Sequence, residues 1–491
     1  MLMKDTDRHK WSGFLAVGIG MFILILDQSA VNIALPQIST YFHVKLSDVQ
    51  WVVIGYGLTA GSLMIPIGRL SDIIGKKTIY LLGFVISGVG SLFAGTASSL
   101  VILSVSRSIQ GVGGAMTQAN AMAILITLFP THMRSFVIGI FMTIIGVASV
   151  IGPVFGGVIV QHFGWRWLLL ITIPLTFCSA LYAFKVLPQF SSDEGREHGK
   201  SSFDMKGSVL FSILMALIMI IMTNGNRFGW VSIQIIGGLS ISLFLATLFA
   251  ISQIKATSPL IDLQLLKRKY FILGSISGFF TFLSGTAVFF MMPFYLQGIL
   301  GYSPSGAGLI MMPMAGCFAL SGPISGWLSD HYGWRKIEIM GLFCVSISLL
   351  LLSFISAQSN VHLLLPLLGF VGLGMGLFYS PNSASILSVV EREKYSLATS
   401  FINVTRNYAS IVGISLTTAV ITTAMGTLGY EASLDAVREV SASHGVKNAF
   451  VGGLNLAFKV QVILITIAGI FTFLKGKAGS EQYAFEENSD S

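Results

Sequence analysis

Fourteen predominantly apolar runs divide this chain, at 12–35, 50–70, 78–97, 101–127, 135–160, 166–187, 205–223, 231–252, 270–294, 306–326, 337–357, 362–386, 398–424 and 451–474. A hydrocarbon layer of about 30 Å takes about 20 helical residues to cross. Lipid offers no partner for backbone N–H and C=O groups, so a crossing segment must satisfy them internally, as a helix does. Composition agrees: 54% of the 491 residues are hydrophobic and 10% charged, with a mean hydropathy of +0.80. That is more apolar surface than a soluble core can bury. The expectation is an all-α membrane protein of 14 transmembrane helices. The first run follows Lys4, Arg8 and Lys10, as in a secretory leader, but it lacks a small-residue cleavage site and carries Asp27 and Asn32, so it reads as a retained helix.

An even number of crossings puts both termini on one side. With the amino terminus inside, 21 Lys and Arg fall in cytoplasmic segments and six outside, while two, Arg107 and Arg406, lie within helices. The positive-inside rule then places both termini in the cytoplasm of a cell with the chain in its plasma or inner membrane. The net charge of +8 follows from that bias and is no reason to invoke nucleic acid.

The segment Gly68-Arg69-Leu70-Ser71-Asp72-Ile73-Ile74-Gly75-Lys76-Lys77 returns later as Gly326-Trp327-Leu328-Ser329-Asp330-His331-Tyr332-Gly333-Trp334-Arg335. Each copy joins two apolar runs, so the chain reads as two halves on one plan, the arrangement of secondary transporters that bind substrate between repeats. The expected organisation is a six-helix bundle over 1–187, a linker with two additional helices over 188–265, a second six-helix bundle over 266–476, and a disordered cytoplasmic tail over 477–491. Gly75 and Gly333 suit a tight turn, and Asp72 and Asp330 can accept bonds from N–H groups at a helix start. Gly68, Asp72, Gly75, Lys76, Arg134, Gly326, Asp330 and Arg335 thus form a candidate conformational latch, with Arg134 the expected partner of Asp72. The alternative is a plain turn with topogenic charge.

Asp27 is the one carboxylate deep in a membrane run, and such a group is by default a functional candidate. It lies nine residues before Pro36, about 13 Å down the first helix, and Arg107 sits about 11 Å down the fourth. Paired at one depth, they offset part of each other's desolvation, and the carboxylate can take up and lose a proton as water access alternates. A permanent structural ion pair is the competing reading. In the fifth run Gly146, Gly152, Gly156 and Gly157, with Pro153, leave a helix face bare for close packing. Arg406 is a second intramembrane cation, with a structural and a functional role equally open. Gln28, Asn32, Tyr56, Gln110, Tyr295, Gln297, Asn403 and Arg406 are candidate cavity residues, backed by Phe289, Met291 and Met292.

Several motifs together resemble the fourteen-helix drug:proton antiporter branch of the major facilitator superfamily. They are Leu26-Asp27-Gln28-Ser29-Ala30-Val31-Asn32-Ile33-Ala34-Leu35-Pro36, Gln50-Trp51 with Tyr56, the Gly68–Lys77 loop, Arg107-Ser108-Ile109-Gln110-Gly111, the Gly146 to Gly157 glycines, Gly164-Trp165-Arg166-Trp167, and Pro293 through Gly301-Tyr302-Ser303. The resemblance covers roughly residues 10–475. It implies proton transfer at Arg107, an antiporter role for the fifth helix, and a monomer. One departure stands out: Thr131-His132-Met133-Arg134 offers no acid beside the basic loop, which puts a charge relay through Lys76 in doubt.

No phosphate-binding Gly-Lys-Ser/Thr loop supports ATP-driven transport. The three cysteines lie in apolar runs and the eight histidines lack metal spacing, so no cofactor and no metal are expected and the proton gradient is the energy source. The reading is therefore not an enzyme but an exporter of lipophilic or amphipathic compounds by proton antiport. The runners-up are a facilitator, importer or flippase of an anionic or lipid-like solute, and a transport-dead membrane receptor.

Overall fold

The structure, a computed structural model, describes residues 2–44, 46–49, 51–130, 133–189, 203–256, 259–260, 263–302, 304–391, 394–430 and 444–476. The predicted tail, most of the 188–204 linker and residues 431–443 therefore lie outside the described residues. The long helices are α1 (Leu2–Phe42), α2 (Trp51–Ile74), α3 (Lys76–Gly95), α4 (Leu100–Leu128), α5 (Arg134–Phe163), α6 (Trp165–Val186, with a kink at Ile171), α7 (Met205–Phe228) and α8 (Ile233–Lys255). They continue as α9 (Lys269–Phe294, extended by a π-helical turn Tyr295–Ile299), α10 (Pro304–Tyr332), α11 (Trp334–Leu352), α12 (Val361–Leu387), α13 (Tyr395–Thr427) and α14 (His444–Lys475).

Twelve of these are long and apolar enough to cross a membrane, against the 14 expected. The two that fall short have local reasons. α11 is 19 residues long and carries Arg335, Lys336 and Glu338 in its first turns. In α5 the described apolar stretch is Arg134–Ser149.

The repeated turn folds alike in both copies. Gly75 and Gly333 take φ of 115° and 88°, left-handed values open to glycine at little cost. Beyond the turns, α3 crosses α4 at Gly83 and Gly113, and α11 crosses α12 at Gly341 and Gly374; a Cβ on any of the four would sit within 3 Å of the facing backbone. Small residues of this kind let helix backbones touch where lipid supplies no hydrophobic drive.

Two further crossings tie the parts together. The first copy of the motif, in α2, meets α13, where a Cβ on Gly68 would strike Ser400 Oγ at 2.2 Å and Ser396 O at 2.8 Å. The second copy, in α10, meets α5, where Gly326 would strike Ser135 O at 2.3 Å. Hydroxyls add bonds from neighbouring helices: Thr399 of α13 donates to Ala119 O of α4 at 2.8 Å, and Ser380 of α12 to Ser135 O of α5 at 2.6 Å. α7 lies over the α2–α13 seam, accepting bonds from Tyr408 at Met215 O (2.7 Å) and from Ser415 at Met222 O (2.8 Å). α8 packs on α7, joined where Gln253 donates to Asp204 at 2.7 Å.

Candidate functional site

Asp27 and Arg107 meet. Arg107 Nη1 lies 2.8 Å from Asp27 Oδ2, and the two side chains are 1% and 3% exposed respectively. The helical periods of α1 and α4 bring them to one level, as the depth argument requires. Gln110, one turn along from Arg107, accepts from the guanidinium through Oε1 and donates through Nε2 to Asp27 Oδ2 at 3.1 Å and to Ser91 Oγ at 2.9 Å. Thr172 donates to the same Ser91 oxygen at 2.8 Å. Arg107 Nε donates to Val52 O at 3.3 Å, and its guanidinium stands 4.9 Å from the Tyr56 ring. Tyr56 OH accepts from Gln28 Nε2 at 2.8 Å. A buried ion pair must have its remaining donors and acceptors satisfied to repay desolvation. Here Arg107 is supplied, but Asp27 Oδ1 is buried without a hydrogen bond among the described residues.

Glycines set the neighbouring contact. A Cβ on Gly152 would lie 1.9 Å from Ser29 Oγ, and one on Gly156 would lie 2.9 Å from Ala30 O, so both admit α1 beside Asp27. Gly146 instead faces Phe318 of α10, and Gly157 faces open space. The expected single bare face is thus shared among three surroundings, because a helix turns about 100° per residue. The Pro153 side chain lies outside the described ones. Gly152→Val should cost about 1–3 kcal/mol by overpacking and depress transport with it, whereas Gly157→Ala should stay within about 0.5 kcal/mol. Thermal melting of the purified variants checks the pair.

A cavity of about 300 Å³ lies where α5 meets α9, α10, α12 and α13. Phe282, Gly285, Thr286 and Phe289 form the α9 wall at helical spacing, opposite Gly146, Phe318 and Met375. Arg406 is its charged residue, bonded to Tyr379 OH at 3.3 Å and 5.8 Å from the Phe282 ring centroid.

Of the candidate cavity residues, Arg406 lines this space and the others do not. Gln110 belongs to the ion-pair network, and Gln28 and Tyr56 border it. Asn32 is exposed and donates to Gln28 O at 3.3 Å. Asn403 is buried and donates to Gln118 O at 3.3 Å. Tyr295 is fully buried with its hydroxyl on Ser356 O at 2.6 Å, and Gln297 is half-buried in the π-helical turn. Phe289 lines the cavity, whereas Met291 and Met292 turn into the packed face of α9.

Asp72 does not cap its own downstream helix, α3. Its carboxylate accepts from Ser396 N at 3.3 Å and Leu397 N at 3.1 Å, so it caps the start of α13 across the α2–α13 seam. Lys76 takes its Oδ1 at 3.4 Å. Arg134 is not its partner: that guanidinium lies 5.3 Å from the Tyr395 ring. Arg335 stacks at 4.1 Å on Phe473 of α14. The Asp330 side chain lies outside the described ones.

Two helical repeats, a cavity where they meet and a separate buried ion pair within the first repeat fit a membrane transporter. The chain belongs to the Major Facilitator Superfamily, whose profile matches residues 17–414. It is 34% identical over 407 residues to the riboflavin transporter RibZ of Clostridioides difficile, covering 83% of this chain and 87% of that one. It is 28% identical to the tetracenomycin C resistance and export protein of Streptomyces glaucescens, covering 97% and 94%. It is also 28% identical to the multidrug transporter protein MdtP of Bacillus subtilis, covering 87% and 79%. The proton:xylose symporter XylE shares the fold with a TM-score of 0.66 at 13% identity, over 96% of this chain and 97% of that one.

Proposed function

We propose that this transporter exports hydrophobic or amphipathic small molecules in exchange for protons, by alternating access between bundles 1–187 and 266–476. On this reading α5 and α11 complete fourteen crossings, and the basic loops place both termini in the cytoplasm. The observation that carries the reading is the sealed Asp27–Arg107 pair with one carboxylate oxygen unpartnered. That oxygen is a place for a proton, and the Arg107, Gln110 and Ser91 network is what would rearrange around it. The end where Asp72 caps α13, and where α5 crosses α10, is closed; on this topology it faces the cytoplasm. Relatives named for tetracenomycin C export and multidrug transport support the direction and the substrate class.

The cavity refines the class. An apolar and aromatic wall around one guanidinium suits a bulky apolar body with an acceptor or anionic pole better than a dication. A second reading, carriage of a flavin-like planar solute, is favoured by that same chemistry and by the RibZ relative.

Everted vesicles carrying the chain should accumulate a lipophilic dye when a proton gradient is imposed, and vesicles without it should not. Accumulation of riboflavin alone, with no dye moving across a broad panel, would select the second reading. Arg406→Gln should raise KM for substrates with an anionic pole about 10- to 100-fold, the worth of a hydrogen bond to a charged group. KM for neutral dyes should change little.

A further inference from the structure

The second repeat holds a buried ion pair of its own that the transport reading does not use. Glu338 in α11 and Lys475 at the end of α14 are fully enclosed, with Lys475 Nζ 2.8 Å and 2.9 Å from the two carboxylate oxygens. α12 completes the cluster: Lys475 also reaches Ser385 Oγ at 2.6 Å and Asn382 Oδ1 at 3.2 Å. Asn382 Nδ2 in turn donates to Gly274 O of α9 at 3.1 Å. Lys475 is the charged group that touches Glu338. α12 presents Ser385 and Asn382, α10 presents no charged contact to it among the described residues, and Arg335, one turn earlier on α11, is turned onto Phe473.

Between this cluster and the Arg406 cavity lies a small void of about 20 Å³, lined by Ser275, Tyr379, Asn382, Ser383, Thr405 and Arg406. A water needs about 10–15 Å³ and two or more polar partners. Ser383, 1% exposed, lines the void with a hydroxyl that has no hydrogen-bond partner among the described residues. One water there would bridge Arg406 and Tyr379 on one side to Asn382, and through it Lys475, on the other.

We propose that Glu338 is a second proton-holding group, hydrated from the Arg406 cavity through this void. The chemistry balances within the cluster. A proton arriving from cavity water converts the Glu338 carboxylate to the acid, and the cluster gains one positive charge. Lys475 keeps three acceptors for its three N–H groups: Ser385 Oγ, Asn382 Oδ1 and the unprotonated carboxyl oxygen. Added positive charge on the Arg406 side opposes a cationic substrate, so for that cargo proton and substrate exclude each other, as exchange requires. This rests on the antiport reading, but its test is separable.

Infrared difference spectra of the purified full chain between acid and alkaline pH should show a carboxylic acid C=O band that Glu338→Asp shifts and that Glu338→Gln/Lys475→Gln removes. Asp27→Asn should leave that band in place and remove a different one. Ser383→Val, which fills the void without touching the ion pair, should slow the deuterium shift of the Glu338 band about tenfold or more. A wild-type spectrum unchanged by both Glu338 variants overturns the proposal, even if the Asp27 band is present. A wild-type spectrum with the Glu338 band but no band removed by Asp27→Asn leaves the proposal standing and overturns the Asp27 reading.

Discussion

Asp27→Asn should abolish gradient-driven dye uptake, down to the level of vesicles without the protein. Asn keeps the size of Asp and an oxygen to accept from Arg107 and Gln110, at the positions now 2.8 Å and 3.1 Å away. It loses the charge and the ability to carry a proton. The variant also leaves Arg107, 1% exposed, as an uncompensated buried cation, a situation that costs about 3–5 kcal/mol when one partner of a buried pair is removed. Stability and coupling must therefore be separated. Asp27→Asn/Arg107→Gln removes both charges, and it should recover most of the melting temperature without recovering gradient-driven uptake. Substrate counterflow in proteoliposomes, which needs no proton gradient, should persist in the double variant. Uptake by Asp27→Asn equal to that of wild type removes the antiport reading.

Gly139→Val should force the closed end apart. A Cβ on Gly139 would lie 2.2 Å from Gly322 O, 2.5 Å from its carbonyl carbon and 2.7 Å from Pro323 Cα. All three are backbone atoms, so no rotamer change relieves the clash and α5 must move off α10. An overpacking cost of about 1–3 kcal/mol falls on the closed state alone, which shifts the open-to-closed ratio about 5- to 150-fold. The check is a Ser400→Cys reporter in a background without Cys178, Cys317 and Cys344. Ser400 is buried against Gly68 at the α2–α13 crossing, so its labelling by a membrane-impermeant maleimide from the loop side should be slow in the parent and faster with Gly139→Val. Gly316→Ala, whose Cβ meets nothing within 4 Å, should leave the labelling rate unchanged.

Charge and period were legible in the sequence; side-chain facing was not. Asp27 and Arg107 could be paired because each is a lone charge in an apolar run, and depth follows from the rise of a helix. Ser91 and Thr172, which complete that network, look like any small polar residue in a membrane helix and left no signal. The polar cavity candidates were mostly wrong in placement for a related reason. Polar side chains in helices satisfy themselves nearby, as Asn403 does on Gln118 O and Tyr295 on Ser356 O, so polarity alone does not mark a cavity wall. Glu338 and Lys475 read as loop-end charges because each lies within a few residues of a helix end. That they seal each other off depends on α11, α12 and α14 converging, which one sequence does not encode locally. Asp72 shows the opposite case: its capping chemistry was readable, but the helix it caps, α13, lies in the other half of the chain.

The inserted pair of helices leaves the two related seams unequally shielded. α7 roofs the gap between α2 and α13 and is itself backed by α8, so a solute dissolved in the bilayer meets a double wall on that flank. Among the described residues neither inserted helix packs on α5 or α10, and Leu309, Met312 and Leu320 of α10 are exposed. The chamber beside Arg406 borders α5 and α10, so on that flank the inserted pair adds no wall between it and the bilayer.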